Sequence, residues 1–340
     1  MAKIVCFGEI MGRLNPEGYL RLRQARKLEI SYCGGEANVA VSLANYGMDA
    51  KYVSKVPDNP LGQCAIDELR RFGVGTEDMV LGGERLGMYY VEKGASQRPS
   101  KVTYDRKYSS ISEASREDFD WEKILEGAEW FHFTGITPAL GKNLPDICLD
   151  ALKVCKAKGI SVSCDLNFRK KLWSRERACE VMTSLMPYVD VCIANEEDAY
   201  DVFGIKATDT DLTGGKLNKD GYREVAKKLM DKFNFKKVAI TLRTSLSATD
   251  NLWAGMLYDG KDYCFSKEYA IHIVDRVGGG DSFGGGLIYA LMNGYSTQDA
   301  VEYAVAASCL KHTIELDFNM VSVDDVKALM GGDGSGRVQR

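Results

Sequence analysis

Histidine is scarce in this chain of 340 residues: His132, His272 and His312 are the three present, and none stands at metal-ligand spacing. A tightly held transition metal is therefore not expected. The ten cysteines are scattered with no Cys-x-x-Cys pair, which argues for reduced, largely buried thiols rather than a disulfide framework. No apolar run is long enough to span a membrane. Positive charge is not in excess: the formal net charge is −4 and the pI about 5.6, so the basic footprint of a nucleic-acid binder is missing. The opening Met-Ala-Lys-Ile-Val-Cys-Phe-Gly lacks the charged flank, apolar core and cleavage site of a signal peptide, and a cytoplasmic location is the expectation. Two nucleotide motifs are absent as well. There is no Walker A pattern, and Gly8-Glu9-Ile10-Met11-Gly12 stands where a dinucleotide fingerprint would follow the first strand. No internal repeat is present.

What is abundant is glycine, and one stretch concentrates it: Asp-Arg-Val-Gly-Gly-Gly-Asp-Ser-Phe-Gly-Gly-Gly at 275–286. Phe283, Leu287 and Leu291 follow at helical spacing with Ile288 and Ala290 beside them, so Gly278, Gly279 and Gly280 fall where a loop becomes a helix. Amides there lack intrahelical acceptors, and the helix dipole favours an anion. Asp281 follows at once. A hinge with an ordinary acidic first turn would look similar, but Gly284, Gly285 and Gly286 each cost roughly 1 kcal/mol relative to alanine inside a helix. That run argues for close approach of the backbone to something. Glycines that cradle phosphate beside a carboxylate able to take a hydroxyl proton suggest phosphoryl transfer.

Strand-like runs at 4–8, 51–56, 130–134, 161–166, 191–194 and 237–242 alternate with helical patterns near 36–46, 61–72, 143–158, 174–186, 196–203, 221–233, 281–293, 297–312 and 323–330. This alternation predicts one large α/β domain over 1–330, a parallel sheet covered by helices on both faces with ligands beyond the strands' carboxyl ends. Segments 13–33 and 86–111 break the rhythm and read as a small separate sheet, a lid over the site. Residues 206–220 read as an exposed polar loop and 331–340 as a frayed tail.

Gly34-Gly35-Glu36-Ala37-Asn38-Val39-Ala40 is a second glycine feature opening a helix. Together with 275–285 it resembles the two signature regions of the ribokinase-like (PfkB) carbohydrate kinases, and the resemblance spans nearly the whole chain, lid segments included. It implies a three-layer α/β/α fold with a mostly parallel sheet, and ATP and Mg²⁺ as cofactors. Asp281 would be the base for the acceptor hydroxyl, and the Gly278–Gly280 amides the anion hole. Asn195-Glu196-Glu197-Asp198 resembles the family's Asn-Glu-x-Glu motif, with Asp198 in place of the last glutamate. Glu196 and Asp198 would face magnesium through water, although a helix cap at Asn195 explains the same residues. Thr241 and Arg243 end a strand where the family binds nucleotide phosphate, and Ser308 and Lys311 fall near the expected adenine pocket. A monovalent cation beside loop 275–280 is an open possibility of the family, as is a homo-oligomer joined through the lid sheets.

For the sugar, Gly34, Gly35, Asn38, Tyr89, Tyr104, Arg106, Asn167 and Arg169 are the candidates. Two converging arginines suit a carboxylate, which guanidinium pairs bidentately. Tyr104-Asp105-Arg106 and Asp165-Leu166-Asn167-Phe168-Arg169 resemble the 2-keto-3-deoxygluconate kinase branch, which implies transfer to the 6-hydroxyl of that sugar acid. A fructose or other neutral-sugar kinase of the same fold, a sugar-acid-binding protein without turnover and a nucleotide-cofactor oxidoreductase are the competing readings.

Overall fold

The structure is a computed structural model that describes residues 3–195, 197–207, 219–332 and 334. The first strand, β1 (Lys3–Phe7), lies inside the main sheet; β2 (Met11–Asn15) and β3 (Glu29–Cys33) then leave it to begin a second, smaller sheet. The chain returns through β4 (Asp49–Val53), and β5 (Lys55–Val56) with β6 (Val80–Leu81) makes a short parallel ribbon. Two more strands, β7 (Gly87–Glu92) and β8 (Lys101–Asp105), complete the small sheet in the order β3-β2-β7-β8. The remainder builds the main sheet: β9 (Ala128–Thr134), β10 (Ser161–Asp165), β11 (Val191–Ala194), β12 (Lys237–Ser245), β13 (Asp250–Tyr258), β14 (Tyr263–Phe265) and β15 (Tyr269–His272).

Its order is β14-β13-β12-β11-β10-β9-β1-β4, with β15 also paired to β13. From β4 to β12 every pairing is parallel, whereas β13, β14 and β15 join antiparallel. The mostly parallel α/β/α architecture and the lid sheet are thus as expected. The strands of segment 250–272 are not: the alternation of strand and helix gave no sign of them, because β13 is a buried run interrupted by Gly255. A side chain there would meet Val305 Cγ2 at 2.8 Å.

Strand β9 shows why the sheet is buried on both sides. Phe131 and Phe133 point into a core shared with the helices Leu144–Lys158 and Arg175–Leu185, while Trp130 faces the core under the helices Gly35–Asn45 and Gly279–Met292. Successive strand side chains point to opposite faces, and both faces here are apolar. The cysteines are unbridged and most are buried. Most of the polar loop expected at 206–220, Glu196, and most of the tail lie outside the described residues. None of the described helices is long and apolar enough to cross a membrane.

Candidate active site

The parallel strands end on one edge, and a cleft of about 1340 Å³ opens there beneath the small sheet. Tyr104, Asp165, Arg169, Asn195, Arg276 and Asp281 stand on its walls. They come from separate parts of the chain, brought together because β10, β11 and β12 all release their loops on the same side.

Gly278 caps the helix Gly279–Met292 at φ 84°, and a Cβ on it would sit 2.0 Å from the Asp317 carbonyl oxygen, so backbone conformation and space both demand glycine. The amide of Gly279 leans on the Arg276 carbonyl at 3.4 Å. Gly280 differs from both: a Cβ there would meet nothing within 4 Å, and its face is exposed to the cleft. Protein packing does not require that glycine, which leaves approach of a ligand as its reason. The second triplet has another explanation. Gly285 makes room for Ser42, and Gly286 for Ala304 and Ala307, so these glycines serve helix packing rather than a ligand. The close approach expected from their helical cost is thus met at Gly285 and Gly286, by neighbouring helices instead of phosphate, whereas a Cβ on Gly284 would make only ordinary contacts.

Asp281 is the third residue of that helix, partly covered, where it accepts a hydrogen bond from Asn38 Nδ2 at 2.7 Å. Its pKa is pushed up to about 7, mainly because surrounding protein strips away water; the charges of Asp317 and Glu36 add to the rise, while the Asn38 amide and Arg169 oppose it. A carboxyl poised near neutrality can take a proton and release it again. The helix Gly35–Asn45 delivers Asn38, and a Cβ on Gly35 would lie 3.6 Å from Asp281 Oδ1. Gly34 sits tight against the Glu9 carbonyl.

The sugar-side candidates divide. Tyr104 is exposed on the cleft wall with the Arg106 guanidinium 5.2 Å from its ring centroid. Arg106 also faces the cleft, but it is not a free guanidinium: Nε donates to Glu9 Oε2 at 2.7 Å, Nη2 shares that oxygen, and Ser109 Oγ donates to Glu9 Oε1 at 2.6 Å. Tyr89 does not line the cleft. It is buried behind Tyr104, and its hydroxyl donates to Asp317 Oδ2 at 2.6 Å. Asn167 takes a positive φ of 35° as its amide donates to Asp165 Oδ1, and this bend carries exposed Arg169 onto the wall.

The nucleotide-side candidates divide too. Asn195, Thr241 and Arg243 line the cleft. Asn195 Oδ1 accepts from the amides of Glu197 and Asp198 at 2.8 and 3.0 Å, the helix-start arrangement that competed with a ligand role. Ser308 and Lys311 must be moved from the adenine pocket. Both are fully buried behind the glycine loop, Ser308 Oγ donating to the Gly279 carbonyl at 2.6 Å. Arg276 and His312 are cleft residues that the motif reading passed over, although Arg276 lay inside the quoted string. Arg276 Nη2 donates to the Ala248 carbonyl at 3.0 Å, and burial holds His312 down at about 4.

Asp165 and Asp198 meet at the ends of β10 and β11. Burial raises both, and for Asp165 the neighbouring charges of Asp198 and Asp281 raise it further. Asp198 braces the two loops, accepting from the amides of Phe168 and Asn195 at 3.1 Å each. Among the described residues no group of three His, Cys, Asp or Glu could hold a metal by itself. A crowded carboxylate pair does suit magnesium that arrives on phosphate, since that ion takes one or two carboxylates and keeps its other ligands as water and phosphate oxygen.

Known proteins are similar to this chain in sequence and fold. The family described as pfkB family carbohydrate kinase matches residues 1–314. A crystal structure of 2-dehydro-3-deoxygluconokinase from Thermotoga maritima superposes with a TM-score of 0.94 and 54% identity over 97% of this chain and 98% of that one. A 2-dehydro-3-deoxygalactonokinase of Haloferax volcanii is 34% identical over 98% of both chains. A 2-dehydro-3-deoxygluconokinase of Bacillus subtilis is 26% identical over 90% of this chain and 88% of its own. With the glycine loop, its aspartate and the lid all in place, the chain belongs to the PfkB family of carbohydrate kinases and is a sugar kinase.

Proposed function

We propose that the protein transfers the γ-phosphoryl group of ATP to the 6-hydroxyl of 2-keto-3-deoxy-D-gluconate. The observation that carries the mechanism is Asp281, raised to about 7 at the head of a helix whose Gly280 backbone is bare toward the cleft. The sugar oxygen attacks phosphorus in line as its proton passes to the Asp281 carboxylate; the O–P bond forms while the bond to the leaving ADP oxygen breaks. The Gly278–Gly280 end of the helix faces the charge on the transferred group, and one such donor is worth about 3 kcal/mol. Positioning supplies the rest, because this chemistry asks little covalent work of the protein. Asp165 and Asp198 would stand near a magnesium ion brought in with the nucleotide, which would supply charge neutralisation. Asn195, Thr241 and Arg243 form the nucleotide side, and Tyr104, Asn167 and Arg169 the sugar side.

A sugar acid rather than a neutral sugar is favoured by Arg169, exposed on the wall, and by the 54% identical 2-dehydro-3-deoxygluconokinase of Thermotoga maritima. Arg106, compensated by Glu9, contributes through its free edge. ADP release with Mg-ATP against 2-keto-3-deoxygluconate, its galactonate epimer, fructose and a blank is the test. Turnover confined to the keto-deoxy acids supports the reading, and preference for fructose overturns it. Arg169→Ala should raise KM for the acid and leave any use of fructose unchanged. The outer lid strand β3 carries exposed Ile30 beside exposed Leu28, an apolar edge suited to pairing with a second copy, and sedimentation as a monomer would sink that extension.

A further inference from the structure

Lysine is rarely fully buried unless something pairs with it, yet Lys311 has no exposed surface. Among the described residues, no carboxylate lies within ion-pair distance of its ammonium. Instead Nζ donates to three main-chain carbonyls: Leu316 at 2.6 Å, Ile314 at 3.2 Å and Asp275 at 3.4 Å. Converging carbonyls are how proteins hold a bare monovalent cation, and a lysine head is a compact point charge of the same kind.

Its position matters more than its ligands. Asp275 begins the glycine loop. Its side chain is gripped by Arg13, itself fully buried, at 2.5 Å, and its Oδ1 accepts from the Val277 amide at 3.1 Å. Arg13 also bonds Asp317, whose carbonyl Gly278 packs against. One helical turn before Lys311, Ser308 holds the Gly279 carbonyl. Lys311 thus ties the start of the loop to residues 314–316, which lead directly into Asp317. The place open to a free cation beside loop 275–280 is filled by the chain's own side chain.

We propose that Lys311 is a built-in cation, a positioning residue that fixes the glycine loop, and that this chain transfers phosphoryl groups without requiring potassium or any other dissolved monovalent cation. The inference rests on the assignment of 278–280 as the anion-binding loop.

The experiment compares wild type and Lys311→Ala in choline chloride, potassium chloride and methylammonium chloride at equal ionic strength, reading both kcat and melting temperature. Wild type should be indifferent to the salt within about twofold. The variant in choline should lose about tenfold or more in kcat, in line with a disturbed anion-binding loop, with the KM for sugar little changed. Potassium or methylammonium should restore its rate and its melting temperature together, which a packing role alone would not allow.

Severalfold stimulation of wild type by potassium overturns the proposal, and that result is readable even if the variant fails to fold. So does a variant as active as wild type in choline, or a folded, impaired variant that neither ion rescues. Absence of any kinase activity would instead strike the proposed function, because salt-specific rescue of melting would still report on the carbonyl pocket.

Discussion

Two helices in this fold begin in the same way and end up doing different work. Gly34-Gly35 opens Gly35–Asn45 with Glu36 in its first turn, and Gly278–Gly280 opens Gly279–Met292 with Asp281 in its first turn. The helices pack side by side in the same direction, Asn38 donating to Asp281 near their starts, Gly285 lying against Ser42 and Tyr289 against Tyr46 further along. Each carboxyl is raised by burial. The difference lies in their donors. Glu36 is buried, and Oε1 accepts from Thr134 Oγ1 and Thr137 Oγ1 at 2.6 Å each and from the Thr134 amide at 3.2 Å; Gly8 is bare because any Cβ would strike that carboxyl. Asp281 has one side-chain donor and a view of the cleft. A carboxyl held by three protein donors on one oxygen is a structural tie. One left underbonded at the edge of a cavity retains the capacity to take a proton.

The contrast is broken most severely at Asp281. Asp281→Asn should lower kcat about 10³-fold, near 4 kcal/mol of transition-state stabilisation, while isothermal titration still shows sugar binding. A rate within tenfold of wild type would remove Asp281 as the base. Glu36→Ala should do the opposite: a stability loss of about 3 kcal/mol as three donors are orphaned, measured by urea unfolding. Equal activity loss per folded molecule in both variants would erase the distinction between tie and base.

This distinction was only half legible in the residues. Asp281 and its glycines could be placed at a helix start by apolar spacing, and the sheet edge followed from strand–helix alternation. Glu36 sat inside a glycine motif with no sign of its partners, because Thr134 at the end of β9 and Thr137 in the turn that follows reach it from about a hundred residues away in sequence. Tyr89, Ser308 and Lys311 were close to the site but on the wrong side of its wall. Sequence proximity to a motif carries no information on which way a side chain points. The antiparallel strands at 250–272 escaped for a different reason: β13 is buried along most of its length and lacks the polar alternation that marks a half-exposed strand, and β14 and β15 are only three and four residues long.

A smaller effect separates the two carboxyls by pH. Asp281 has an ordinary value of 3.8 in the unfolded chain and about 7 when folded. Between those values the unfolded chain is ionised there while the folded one holds its proton. The stability this group contributes is therefore full below about pH 4 and lost as pH rises through 7. Asn at this position has no such term. The unfolding free energy of Asp281→Asn, read from urea denaturation, should gain on wild type from pH 4.5 to 8 by about 2 kcal/mol after allowance for the carboxyl's partial exposure. A gap independent of pH would mean that Asp281 is ionised throughout.

The finest probe is the hydrogen bond that joins the two helices. Asn38 Nδ2 donates to Asp281 and so favours its ionised form. In wild type, kcat/KM should rise with pH through about 7 and level off, as the base sheds its proton. Asn38→Ala removes the donor, so the same limb should move to higher pH by about one unit, with the plateau rate largely kept. Loss of the plateau without a shift would make Asn38 a sugar contact rather than a tuner of the base. A shift to lower pH would mean that relief of desolvation outweighs the lost donor, water entering the vacated space lowering the pKa more than the missing hydrogen bond raises it.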